Sequence, residues 1–224
     1  MKQLLYKYRH AVALLYLPLY LISFFTLERV VHQNSDFYVV YCPLDDLIPF
    51  CEYFAIPYFL WFAYIAATLI FFFFADKKDF FRVCLFLFTG MTLCLVIYAI
   101  WPNGHHLRPD LDALGRDNIF ISMLRGLYNT DTSTNVCPSI HALNSIGACI
   151  ALVRCNCLKK HKVVRGFVVV LTIAICLSTV FLKQHSIVDV ICAIIVAIPL
   201  YFLAYGPKYT RIMNHLSDDL VKSK

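Results

Sequence analysis

Six apolar runs, near residues 11–27, 53–74, 80–100, 136–153, 163–182 and 186–205, constrain this chain more than anything else in it. Each is long enough, or nearly so, for a helix crossing a hydrocarbon core about 30 Å thick. In lipid every backbone N–H and C=O must be bonded within the protein, so isolated runs of this kind resolve as helices. The sequence therefore predicts an all-α polytopic membrane protein, a six-transmembrane-helix bundle forming a single domain over 1–224. Composition agrees, since 60% hydrophobic residues and a mean hydropathy of +0.69 exceed what a soluble domain of 224 residues carries. The first run follows Lys2, Lys7 and Arg9 as a signal peptide would. No small-residue cleavage site follows it, so an uncleaved anchor is expected, bent at Pro18.

The net charge of +6 says less than its distribution. Fifteen of the 20 Lys and Arg residues fall at the two ends of the chain and in the loops at 75–82 and 154–165. The other five are Arg29, Arg108, Arg116, Arg125 and Lys183. The positive-inside rule then predicts a multi-pass protein of the cell membrane with both termini in the cytoplasm. Nucleic-acid binding is excluded, because the basic residues are scattered over short loops. Most of the 10 cysteines lie inside apolar runs as small hydrophobes. Cys155 and Cys157 are too closely spaced to argue zinc, and Cys42 with Cys51 leaves a bridge open.

Three short patterns carry chemistry. His185 and Asp189 stand four residues apart where a helix should begin, hence on one face and one turn from each other. The carboxylate can hold one imidazole nitrogen as N–H and free the other to attack or to move a proton. Ionisable residues at membrane depth point to function, although the pair alone reads equally as an interfacial ion pair. Upstream, Asn135-Val-Cys-Pro-Ser-Ile-His141 opens another apolar run, with Pro138 suited to a first helical turn. Arg108-Pro109 lies in the long polar stretch 101–135, whose centre, Arg116 to Tyr128, is expected to form a short helix along the membrane surface. His105 and His106 in the same stretch resemble metal ligands by type, but a solvated pair is expected. Asp45 and Asp46 read as a solvated turn. Tyr53, Tyr58 and Trp61 read as boundary aromatics, with a wall for a lipid headgroup as the alternative. The very short link 182–186 predicts that the last two helices are antiparallel neighbours.

The order Arg-Pro, then Pro-Ser-x-His, then Ser-x6-His-x3-Asp resembles the type 2 phosphatidic acid phosphatase superfamily, which also includes vanadium haloperoxidases and the inositol and sphingolipid phosphotransferases. The resemblance covers about Trp101 to Asp189. It implies His185 as the nucleophile that takes a phosphoryl group, Asp189 orienting it, and His141 as the acid for the departing alcohol. Arg108 would grip the phosphate through its planar fork, with Ser139, Ser178 and the first N–H groups of its helix beside it. The chain departs from the family at Trp101 and Thr179, where the usual pattern has a Lys and an Arg, and at Ile140. Lys183 is the remaining cation of the third pattern and is expected either on the phosphate or as a snorkelling anchor. The resemblance implies a phosphorylated lipid substrate, with no metal and no cofactor, and the charge distribution puts its site on the outer face. Rival readings are a headgroup phosphotransferase, a lipid-binding or transport protein with a degenerate site, and a metal-dependent hydrolase. The oligomeric state is left open.

Overall fold

The computed structural model describes residues 8–31, 36–207 and 209. Among these residues, five helical stretches are long and apolar enough to cross a membrane: Arg9–Val30, Glu52–Ala75, Lys77–Ile100, Lys162–Phe181 and Ile187–Tyr205. The first is a 3-10 helix over Arg9–Leu15 and an α-helix, α1, over Tyr16–Val30. Pro18 has no N–H to bond the carbonyl one α-turn earlier. Where the sequence predicts a bend, the structure shows this change of winding. After the short α2 (Leu44–Leu47) come α3 (Ala55–Ala75), α4 (Lys77–Ile100) and α5 (Ile119–Thr130). They are followed by α6 (Ile140–Arg154), α7 (Lys162–Phe181) and α8 (Ile187–Tyr205).

The sixth expected span is α6, and it has only 15 residues, about 22 Å of helix against a core of about 30 Å. It begins later than its apolar run. Pro138 stays outside the first turn, and Ser139 is the N-cap, its Oγ accepting from the Ala142 N–H at 3.3 Å. This short helix is nevertheless the centre of the bundle, packed against α3, α4, α7 and α8. Small residues on its faces allow that: Ala142, Ser145, Gly147, Ala148 and Ala151 are all buried. α7 and α8 differ from the expectation of close neighbours, because each packs on α6 rather than along the other. α1 leans on α4 from outside, with Tyr16 stacked on Phe88 at 4.4 Å.

One end of the bundle carries a second layer. Tyr38–Val39 (β1) pairs in parallel with Asn103–Gly104 (β2). The surface helix α5 forms where the sequence predicts one, capped by Asn118, whose side chain accepts from the N–H groups of Phe120 and Ile121. Its buried stripe of Ile121, Leu124 and Leu127 packs on Ala55, Tyr58, Leu111 and Leu182. At the other end Asp76 makes a tight turn by capping α4, accepting from the Asp79 N–H at 2.9 Å. Cys155 and Cys157 are joined by a disulfide there, whereas Cys42 and Cys51 are free thiols.

Candidate active site

The site is made by two chain reversals locked to each other. The first is the link between α7 and α8. Lys183 adopts φ 54°, a left-handed conformation uncommon outside glycine. The turn lets the N–H groups of Gln184 and His185 both donate to the carbonyl of Thr179, at 2.9 and 3.0 Å. Asp45, in the short helix α2 that follows α1, holds it there. Its carboxylate accepts from Ser186 Oγ at 2.6 Å and from the N–H groups of Ile187 and Cys42, each at 2.9 Å. Its carbonyl accepts from Lys183 Nζ at 2.6 Å. Asp45 is therefore buried rather than the solvated residue that its sequence context suggests. Ser186 and Asp189 add a capping box at the start of α8.

The second reversal is the segment before α6. Asn103, fully buried, donates to the carbonyls of Trp101 and Cys137 and accepts from the N–H groups of Val136 and Cys137. Glu28 of α1 accepts from Asn135 Nδ2 at 2.8 Å and from the Thr132 hydroxyl. Tyr98 of α4 donates to the carbonyl of Pro138. A backbone bond from the Ser139 N–H to the Asp189 carbonyl, at 3.1 Å, ties the start of α6 to the first turn of α8.

That lock brings the two histidines together, ring centroids 5.8 Å apart. Nδ1 of His185 lies 3.1 Å from the Asp189 carboxylate, which also accepts from the Ser186 N–H at 2.9 Å. A carboxylate only accepts, so Nδ1 carries the proton, and in the neutral ring Nε2 has the lone pair. His141 sits between the rings of Tyr58 and Trp61, at 4.7 and 4.3 Å, and its Nε2 is buried without a partner. Both histidines line a cavity of about 260 Å³. Its apolar walls come from Tyr20, Leu21, Phe24 and Phe25 of α1 and from Trp61 and Phe62 of α3. Phe25 and Phe62 are exposed on the flank of the bundle, so this wall reaches the surface that lipid would cover. Tyr58 and Trp61 thus pack against His141, and Trp61 also lines the cavity.

The other residues singled out from sequence stand elsewhere. Arg108 donates to the carbonyls of Tyr128 at 3.3 Å, Asp131 at 2.7 Å and Thr132 at 2.8 Å, and to Oε1 of Gln184. It is not in the cavity wall. Lys183 turns its ammonium onto the Asp45 carbonyl, and so away from the position expected for a phosphate ligand. Ser139 is spent as the α6 cap, and Ser178 donates to the Ile175 carbonyl at 2.7 Å inside α7. Thr179, at the family's cation position, donates to the Cys176 carbonyl at 2.8 Å. His105 is fully buried and His106 exposed, so they are not a solvated pair. Among the described residues no cluster of three His, Cys, Asp or Glu side chains is placed to hold a metal ion.

Sequence reasoning missed Asp45 and Gln184. The S-x-x-D pattern of Ser186 to Asp189 marks the start of α8, but Asp45 acts across 141 residues and leaves no local signal. In comparison with known proteins, a family model described as the PAP2 superfamily matches residues 105–212. No curated protein and no solved structure matches the chain.

Proposed function

Residues 105–212 belong to the PAP2 superfamily, and from that premise we propose that the chain is an integral membrane phosphatase hydrolysing a lipid phosphate monoester or pyrophosphate. The observation that carries this reading is the oriented His185 facing His141 across a cavity walled by apolar side chains. In the first step the Nε2 lone pair of His185 attacks phosphorus, and the bond from phosphorus to the leaving oxygen breaks. Asp189 stabilises the imidazolium that forms, and a protonated His141 gives its proton to the departing oxygen. In the second step neutral His141 takes a proton from water, whose oxygen attacks phosphorus. The phosphorus–nitrogen bond breaks, and His185 is regenerated with inorganic phosphate as product. No step needs a metal or a cofactor.

The orientation follows from charge. The end of the bundle holding the site is the end with few basic residues, so it faces outward and both termini lie in the cytoplasm. α6 counts as a sixth span because it is enclosed by the other helices and meets little lipid. A second reading, transfer to a lipid-headgroup alcohol, is favoured by one feature. The cavity wall includes Asp131 and, among the described residues, no Lys or Arg, which suits a singly charged phosphodiester better than a dianion.

The test uses purified full-length protein and radiolabelled phosphatidic acid in mixed micelles, with EDTA present. Acid-labile, base-stable phosphate should appear on the protein and inorganic phosphate should be released. His185→Ala should abolish both, and near-native turnover in that variant would sink the mechanism. Label passing to an added alcohol instead of water would select the transferase reading.

A further inference from the structure

A phosphoryl group brought to His185 needs donors for its non-bridging oxygens, yet the described residues of the cavity wall include no Lys or Arg. Arg108 is the nearest in chemistry, but it lies outside the cavity wall, Tyr128 covers its guanidinium at 4.4 Å, and its Nη1 and Nη2 donate to three backbone carbonyls while its Nε is buried without a partner. Its remaining contact is with Gln184. A guanidinium only donates, so the Gln184 atom facing it is the amide oxygen, which leaves Nε2 as the other end of the amide. That Nε2 is buried without a partner, on a residue 2% exposed that lines the cavity beside His185. Buried amide N–H groups are seldom left unbonded, and one kept so in a cavity wall points to a ligand. The backbone of Gln184 is fixed as well: its N–H donates to Thr179 at 2.9 Å, and its carbonyl lies 2.8 Å from His105 Nε2.

We propose that Gln184 Nε2 donates to a non-bridging phosphoryl oxygen, and that Arg108 acts on the phosphate through this amide. The guanidinium polarises Oε1 and thereby strengthens the N–H donor on the other side of the amide. Gln184 is then a binding residue and Arg108 a positioning residue. The relay would supply partial positive charge to a chain that has Trp101 and Thr179 at the positions of two of the family's cations. It rests on the reading of His185 as the nucleophile.

Orthovanadate, a phosphoryl-transfer mimic, and short-chain phosphatidic acid are the probes, used on full-length protein in detergent. Gln184→Glu keeps an acceptor for Arg108, and so keeps the loop, but replaces the donor by a carboxylate oxygen. It should unfold at a temperature close to wild type and lose at least about tenfold in kcat/KM and in vanadate affinity. Gln184→Met should lose less than the Glu variant in both, and it carries the test on its folded fraction if the Glu variant unfolds. Wild-type kcat/KM and vanadate inhibition in either folded variant would overturn the inference. In the Gln184→Met background, Arg108→Lys should weaken vanadate by less than about twofold more, because the relay is already broken. A multiplicative loss would put Arg108 on the phosphate directly and overturn the relay. His185→Ala, run alongside, separates the two ideas. If it is inactive while Gln184→Met is normal, the relay alone fails; if it turns over, the phosphohistidine reading fails.

Discussion

His105 has both ring nitrogens engaged: Nδ1 accepts from the Leu107 N–H at 3.2 Å, and Nε2 lies 2.8 Å from the Gln184 carbonyl. A carbonyl cannot donate, so the ring is neutral with its proton on Nε2. Burial first, then nearby His185 and Arg108, push its pKa down to about 3, against the pull of the Gln184 carbonyl and Asp45. The unfolded chain therefore binds a proton that the folded chain refuses between its ordinary 6.5 and about 3. The stability this residue contributes is complete above pH 6.5 and is lost progressively as the pH falls toward 3. His105→Gln, whose amide can both donate and accept, should be less stable at pH 7.5 but lose less on acidification. Thermal unfolding in detergent at pH 7.5 and pH 5 measures this, and equal acid sensitivity in the two proteins would reject it. This residue also marks the limit of sequence reading. The pairing of His185 with Asp189 was legible because the two stand four residues apart at the start of α8, His185 just before the N-cap Ser186 and Asp189 in the first turn. The burial of His105 and the bond from Arg108 to Gln184, 76 residues away, arise only when the loop closes over the bundle.

At the scale of elements, the helices were legible because length and hydrophobicity suffice to mark a span, and observed ends lie close to the apolar runs. What the runs do not encode is which helix is central. α6 is shorter than each of the five long helical stretches, and it takes that place through small residues. A Cβ on Gly147 would land on the ring of Phe86, so Gly147→Ala should destabilise the protein by about 1–3 kcal/mol. Phe86→Leu in the same chain should recover part of that loss, which unfolding of the two variants and the pair will show. The turn between α7 and α8 depends in the same way on a distant element. Asp45 supplies four bonds to it and to its own loop. Asp45→Asn puts an amide N–H2 where one carboxylate oxygen accepts, and each bond lost to the charged group is worth about 1.5–3 kcal/mol. The Lys183 bond to the backbone carbonyl survives the substitution, so the turn should loosen without being lost. His185 would then be misplaced relative to a substrate that still binds. kcat should fall at least about tenfold with KM changed far less, whereas equal loss in both would mean that Asp45 supports binding instead.

At the scale of the whole molecule, two asymmetries coincide. Of the 20 Lys and Arg residues, the five in the sparse set are Arg29, Arg108, Arg116, Arg125 and Lys183. The structure spends several of them on internal contacts at the site's end: Arg108 on carbonyls, Arg116 on Glu52 at 2.8 Å, Arg125 on Asp112 at 2.7 Å, Lys183 on the Asp45 carbonyl. Charges tied up in this way are poor anchors for a negatively charged cytoplasmic leaflet. Among the described residues of the opposite end, Lys159, Lys160 and Lys162 stand exposed in and beside one short loop. On the proposed orientation, the field that retains positive loops in the cytoplasm would act on the end away from His141 and His185. Exposed positions at the two ends test this: Asn129 at the end of α5 and Lys160 in the basic loop. Asn129→Cys and Lys160→Cys are made separately, with Cys42, Cys51, Cys155 and Cys157 replaced by Ala, and intact cells are treated with an impermeant maleimide. Asn129→Cys should react from outside, and Lys160→Cys only after the membrane is permeabilised. The reverse pattern would place the histidines on the cytoplasmic side, and the substrate would then have to come from the inner leaflet.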